Sequence, residues 1–250
     1  MKSVLVTGAA KRIGRRLALD LAAAGWDVAV HCNSSIAEAE EVAALIRGLG
    51  RRAVIVRGDL AGAEAPDRII AEASAALGGL NCLINNASLF EPDKVGAITK
   101  ASWAAHLDTN LRAPVFLSQA FARQLPDGIE GSIISIIDQR VWKLTPRFFS
   151  YTMSKSGLWT ATRTLAQALA PRIRVNAIGP GPALPSVRMD QAEFEKQSRL
   201  TLLGRGTSPE EISAAVKFIL SQPALTGQMI ALDGGQHLVW QTPDVMEIAE

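Results

Sequence analysis

Short apolar runs alternate along the chain with longer runs that are apolar on one side only. Residues 3–7 (SVLVT), 27–32 (DVAVHC), 53–57 (AVIVR), 80–86 (LNCLINN), 131–137 (GSIISII), 172–178 (RIRVNAI) and 228–235 (QMIALDGG) have strand lengths and are dense in Val, Ile and Leu. Between them, 15–25, 37–50, 67–78, 100–124 and 150–170 carry helical spacing, three of them ending at Gly25, Gly50 and Gly78. A further helix begins at Pro209, with Ser208 as N-cap and Glu211 placed to complete a capping box. Near-continuous apolar strands fit a parallel sheet buried on both faces, and strict β–α alternation predicts a doubly wound α/β fold. The stretch 179–207 is rich in Pro and Gly and predicts irregular structure, with a substrate lid over about 182–205. No linker or repeat interrupts the pattern, so residues 1–250 are expected to form one domain.

Composition narrows the class only by exclusion. Among 250 residues, 48% are hydrophobic and 20% charged, as in a globular protein with a substantial core. A net charge of +2 gives no basis for a nucleic acid or an anionic membrane as partner. Cys32 and Cys82 are too few for a disulfide framework. No apolar run reaches membrane-spanning length and the start MKSVLVTG reads as a strand, not a leader, so a cytoplasmic enzyme is expected. His106 and His237 lack metal-ligand spacing, and no metal is expected.

The chemistry begins at TGAAKRIG (7–14), between the first strand and first helix. Gly8 suits a tight turn there. Gly14 lets the helix approach, and the helix N-terminus offers free N–H groups to a pyrophosphate. The second strand ends in HCNSS without the acid that would bind the ribose hydroxyls of NAD. Lys11, Arg12, Asn33, Ser34 and Ser35 instead suit a 2′-phosphate, which points to NADPH.

Several motifs then occur in order: TGAAKRIG, GDL (58–60), NNAS (85–88), Asn110, YTMSK (151–155), RVNAIGPG (174–181) and LDGG (232–235). Together they resemble the short-chain dehydrogenase/reductase superfamily over essentially the whole chain. The resemblance implies a Rossmann-like sheet of seven parallel strands. It implies a cofactor cleft lined from Gly8, Ile13, Gly14, Asp59, Leu60, Asn85, Ala87, Pro180 and Gly181, with Asp59 near the adenine. Tyr151 and Lys155 become catalytic residues, and Asn110 holds a water in a proton relay. Physically, a reductase must supply a proton, and Lys155 at i+4 of Tyr151 is placed to lower the hydroxyl's pKa. Long helices at 100–124 and 150–170 pair in family relatives, which implies a homotetramer.

Asp138 lies thirteen residues before Tyr151, where most of the superfamily carries serine. With NNAS followed by Leu89 and Phe90, and with Arg12 in place of a loop glycine, it resembles the pteridine and dihydromonapterin reductases. That resemblance implies that Asp138 works with Tyr151 and Lys155, that Phe90 stacks on a pterin, and that Ser88 and Arg12 reach the substrate. A pterin ring presents nitrogens, and a carboxylate can relay a proton to nitrogen and accept from N–H donors. One departure is Ser34, where these reductases carry arginine. A general reductase of a ketone or 3-oxoacyl substrate is the second reading. A binding protein that senses NADP without turnover is the third; the intact Asn110, Tyr151 and Lys155 weigh against it.

Overall fold

The computed structural model describes residues 2–186 and 188–246. Seven strands form one parallel sheet: β1 (Ser3–Val6), β2 (Asp27–Cys32), β3 (Ala53–Arg57), β4 (Cys82–Asn85), β5 (Gly131–Ile136), β6 (Ile173–Pro180) and β7 (Met229–Leu232). Their order is β3-β2-β1-β4-β5-β6-β7. The order reverses between β1 and β4, and a crevice for ligands opens there at the strands' carboxyl ends.

Alternation along each strand divides the core. Val4 and Val6 on β1, with Val28 and Val30 on β2, pack under α1 (Arg12–Ala23), α2 (Ile36–Gly48) and a later helix at Pro209–Ser221. Leu5 and Ala29 face the opposite way, toward α3 (Ala65–Leu77) and the long helices of the second half. Both faces are therefore covered, which is why the strands lack polar alternation.

Two expectations about elements are corrected. The helix expected over 100–124 is three pieces: α4 (Lys100–Leu107), a π-helical turn (Asp108–Arg112) and α5 (Ala113–Gln124). Pro114 has no N–H to return to the carbonyl of Asn110, so the helix widens there. The stretch 179–207 is not wholly irregular. β6 runs on to Pro180, and α7 (Gln191–Arg199) forms behind an Asp190 side chain that accepts from Glu193 N at 2.8 Å. The other long helices are α6 (Phe149–Leu169) and α8 (Pro209–Ser221), the latter with the expected Ser208/Glu211 capping box, and a single turn, α9 (Pro243–Met246), follows β7. Among the described residues, no helix is long and apolar enough to cross a membrane.

Candidate active site

A cavity of about 710 Å³ opens at the switch point. One end is bordered by the first βα turn: Gly8, Lys11, Arg12, Ile13 and Gly14, with Asn33, Asp59 and Leu60 from the loops after β2 and β3. The other end holds Ser88, Phe90, Asp138, Tyr151 and Lys155, and Ala87, Pro180 and Gly181 border it as well.

The turn is closed by its backbone. Gly8 has φ +62°, and a Cβ on Gly14 would lie 2.0 Å from the Gly8 carbonyl oxygen. His31, on β2, was not singled out from sequence. Gly8 N–H donates to its Nδ1 at 3.1 Å, which leaves Nε2–H to donate to Gly58 O at 3.0 Å. Burial pushes this imidazole down to about 4, so it is neutral and pins the glycine turn to β2 and the post-β3 loop. A polar residue inside the apolar run VAVHC was the available signal.

Asn86 takes the place at the cavity expected of Asn85. Asn85 is buried and does not border the cavity. Asn86 does, and its amide donates to Thr7 O at 2.8 Å and Gly8 O at 3.2 Å, tying β4 to the glycine turn. The strand period of two explains this: one step along the chain reverses the direction of the side chain. Ser34 and Ser35 also lie outside the cavity lining. Lys11 forms an exposed ion pair with Glu38 of α2 at 2.7 Å. Arg12 has φ +53° in a region L-residues rarely adopt, and its guanidinium donates to Pro185 O at 2.9 Å, on the segment after β6.

At the other end, Tyr151 O–H donates to Asp138 Oδ2 at 2.8 Å. The second carboxylate oxygen accepts from Arg140 N at 2.8 Å, which orients the group at the end of β5. Lys155 Nζ donates to Ile136 O at 2.9 Å and lies 5.8 Å from the centroid of the Tyr151 ring. The expectation that Lys155 lowers the tyrosine pKa is corrected. Burial, then the charge of Asp138 and the hydrogen bond to it, hold Tyr151 well above its ordinary value, so the hydroxyl keeps its proton. Burial brings Lys155 down to about 8, against the pull of Asp138.

Asn110 is held by its side chain. Its amide is fully enclosed: Oδ1 accepts from Leu89 N at 2.8 Å and Ser88 Oγ at 3.3 Å, and Nδ2 donates to Leu89 O at 2.9 Å and Ser154 Oγ at 3.0 Å. That uses the four hydrogen-bonding positions of the side-chain amide on protein groups, so only the backbone carbonyl, which Pro114 cannot bond, is left to hold a relay water. The π turn carries Asn110 into this position between the post-β4 loop and α6.

Phe90 meets aromatic and cationic neighbours. Phe148 stacks on it with centroids 4.3 Å apart and planes 12° from parallel, and Tyr151 meets it edge-on at 4.7 Å. The Arg188 guanidinium lies 5.6 Å from the Phe90 centroid and pairs with Glu91 at 2.7 Å. Phe148 sits in the left-handed region at φ +55°; no local pattern at the start of α6 signals its part. The arrangement offers a flat aromatic slot beside a protonated tyrosine and a carboxylate.

Comparison with known proteins agrees with this architecture. Residues 8–237 match the family model described as enoyl-(acyl carrier protein) reductase. The chain is 32% identical over 244 residues to the 3-oxoacyl-[acyl-carrier-protein] reductase FabG of Aggregatibacter actinomycetemcomitans, covering 94% of this chain and 98% of that protein. The crystal structure of FolM, alternative dihydrofolate reductase 1, from Brucella suis in complex with NADP superposes with a TM-score of 0.95. It is 50% identical and covers 98% of each chain. A short chain dehydrogenase from Burkholderia cenocepacia, also in complex with NADP, has a TM-score of 0.88 at 32% identity, covering 94% of this chain and 97% of its own.

Proposed function

The chain belongs to the short-chain dehydrogenase/reductase superfamily, and from that premise we propose that it is an NADPH-dependent reductase of a pterin, a dihydropteridine-type substrate. The observation that carries this reading is the Tyr151–Asp138 hydrogen bond of 2.8 Å, a carboxylate where a ketone reductase needs only a hydroxyl. The 50% identity to a protein named for dihydrofolate reduction supports it.

The residues at the glycine turn fit a dinucleotide. The turn is too tight for any side chain at Gly14, and the N-terminus of α1 opens on the cavity. Gly8, Ile13 and Gly14 would hold the pyrophosphate, Asp59 and Leu60 the adenine end, and Ala87, Lys155, Pro180 and Gly181 the nicotinamide end. Lys11, Arg12 and Asn33, which border the cavity, would hold the 2′-phosphate; for this, Lys11 must exchange Glu38 for phosphate. The bound nicotinamide supplies a hydride.

The protein supplies the proton. Tyr151, which borders the cavity and whose hydroxyl donates to Asp138, would deliver the proton to a ring nitrogen, with Asp138 relaying its replacement from water. Across the C=N bond a C–H bond would form from that hydride and an N–H bond from the proton, a two-electron reduction for which the nicotinamide would supply the electrons. Lys155, held by Ile136 O, places a positive charge beneath the tyrosine ring. Ser88 and Arg12 would contact the substrate, and Phe90 would present its ring to the heterocycle. Residues 182–205 would act as a lid within the single domain 1–250, although Val187 and the two chain termini, Met1 and 247–250, lie outside the described residues. A cytoplasmic setting and a homotetramer through α4–α5 and α6 belong to the same reading; a monomer mass by light scattering at micromolar concentration would contradict the assembly.

A second reading is supported by the similarity to a 3-oxoacyl reductase: reduction of a 3-oxoacyl thioester, with Asp138 in place of the usual hydroxyl. NADPH consumption measured separately with a dihydropterin and with a 3-oxoacyl thioester tests the two. Turnover of the pterin is expected. Turnover of the thioester alone would sink the pterin reading.

A further inference from the structure

The loop after β4 carries Phe90 but contains almost no backbone hydrogen bonding of its own. Residues 86–94 form neither helix nor strand. Nevertheless this loop must hold an aromatic ring 4.7 Å from the Tyr151 ring. Asn110 and Arg188 hold its Ser88–Glu91 part. Three further polar groups, His106, Ser150 and the loop's own Asp93, hold the rest, and they are used neither by the chemistry nor by the cofactor cleft.

His106, on α4, is wholly buried. Glu91 N–H donates to its Nε2 at 3.1 Å, so Nε2 is the acceptor nitrogen and Nδ1 carries the hydrogen. Nδ1 lies 3.0 Å from Ser102 O and 2.7 Å from Ser150 Oγ. Ser150 O–H in turn donates to Asp93 Oδ2, and Ser150 N–H donates to Asp93 Oδ1 at 3.1 Å. Phe149 N–H reaches the Asp93 carbonyl at 3.4 Å.

The pattern has a structural cause. α6 begins after Phe148, which has left-handed backbone and no side chain able to cap. The first N–H groups of a helix are orphans and need acceptors. Asp93 supplies one from the substrate-side loop, with its negative charge at the positive end of the helix dipole. The helix that carries Tyr151 is thus capped by the segment that carries Phe90. His106 fixes the middle of that segment through the Glu91 amide.

We propose that His106, Ser150 and Asp93 are positioning residues that set the Phe90 wall against Tyr151 and so determine how tightly a planar substrate is held, without touching substrate or cofactor. The planar heterocycle rests on the function proposed above; the network itself does not. Its signature is a split: substrate binding weakens while cofactor binding does not, because the glycine turn has separate supports in His31, Thr7 and Asn86.

The test is a set of single variants, His106→Leu, Asp93→Ala, Asp93→Asn and Ser150→Ala. Each is assayed by steady-state kinetics for the dihydropterin KM and by fluorescence titration for NADPH affinity. Loss of a buried partner predicts a KM increase of roughly tenfold for His106→Leu and Asp93→Ala. Asp93→Asn keeps an acceptor for Ser150 N–H and should restore most of the affinity. Ser150→Ala keeps the cap but cuts the link to His106, and should give an intermediate increase. NADPH Kd should stay within about twofold throughout, since a shift that small is well under 1 kcal/mol. Parent-like KM in His106→Leu and Asp93→Ala, or parallel weakening of NADPH, overturns the proposal. If those two variants do not fold and Ser150→Ala leaves KM unchanged, the network is only structural and the proposal also fails. If the parent reduces a 3-oxoacyl thioester and no pterin, the function reading is what fails. The same split is then required in the thioester KM, because the same walls border the cavity.

Discussion

The two ends of the cavity are built by different means. At the glycine turn, backbone packs on backbone: a Cβ at Gly14 would lie 2.0 Å from Gly8 O, and one at Gly8 would lie 3.1 Å from the Ala87 Cα. At the Phe90 end, position is set by side chains brought from four separate segments: Asp138 after β5, Tyr151 on α6, His106 on α4 and Arg188 after β6. A backbone-built site is readable from local sequence, because the requirement for glycine is local. A site built from side chains depends on which distant segments meet, and it can change its substrate without altering the fold. This explains how one architecture is similar both to a 3-oxoacyl reductase and to a protein named for dihydrofolate reduction.

The largest expected effect separates the two ends outright. Tyr151→Phe keeps the ring against Phe90 and removes the proton. Turnover should fall by roughly 10²–10⁴, the usual worth of general acid catalysis, with NADPH affinity unchanged. Near-parent turnover would mean that another group is the acid.

Asp138 sharpens the comparison within the substrate end. Asp138→Asn keeps an acceptor near the tyrosine but cannot exchange a proton near neutral pH, so pterin turnover should drop by about 10²-fold, at the lower end of general acid–base effects. Asp138→Ser should lose pterin reduction and gain activity on simple ketones. Equal turnover by the parent and both variants would reduce Asp138 to a structural substitution.

On the cofactor end, the absent strand-end acid and the cations Lys11 and Arg12 predict at least a tenfold preference for NADPH over NADH, about 1.4 kcal/mol. Equal dissociation constants by titration would contradict it. Lys11 must leave Glu38 to contribute, so Glu38→Gln should strengthen NADPH binding or leave it unchanged, not weaken it.

The smallest effect at neutral pH concerns His31. Burial holds it at about 4 in the folded chain, below the 6.5 of a free imidazole. Between those values the unfolded chain binds a proton that the folded chain refuses. The associated stability is complete above pH 6.5 and is lost as pH falls toward about 4. Melting temperature should therefore decline across that window. His31→Asn, which keeps an acceptor for Gly8 N–H, should flatten the decline; an identical slope in the variant would show that other groups titrate.

Much of this molecule was legible from the chain alone. Apolar periodicity predicted the seven strands and most helices, because burial on both faces of a parallel sheet imposes continuous Val, Ile and Leu runs. Gly8 and Gly14 marked the turn, and Tyr151 and Lys155 share one helix face by spacing alone. The break at Asp108–Arg112 was less visible, although Pro114 was its local cause.

Other features required the tertiary structure. Spacing suggested that Lys155 lowers the tyrosine pKa. In the fold, the lysine is held by Ile136 O while burial and Asp138 raise that pKa, because desolvation and charge distance exist only once the chain is packed. Which of two adjacent asparagines faces the cavity was decided by strand register. Asn110 could be picked out as important, but only its four hydrogen bonds show that it joins a loop to a helix. Phe148 and His106 carry no local signal at all. Phe148 acquires its place by stacking on the ring of Phe90, far away in sequence, and His106 by accepting a backbone N–H from Glu91 in the preceding loop while its other nitrogen meets Ser150 of α6. Periodicity and turn chemistry are properties of neighbours in the chain, whereas burial, stacking and long-range hydrogen bonds are properties of neighbours in space.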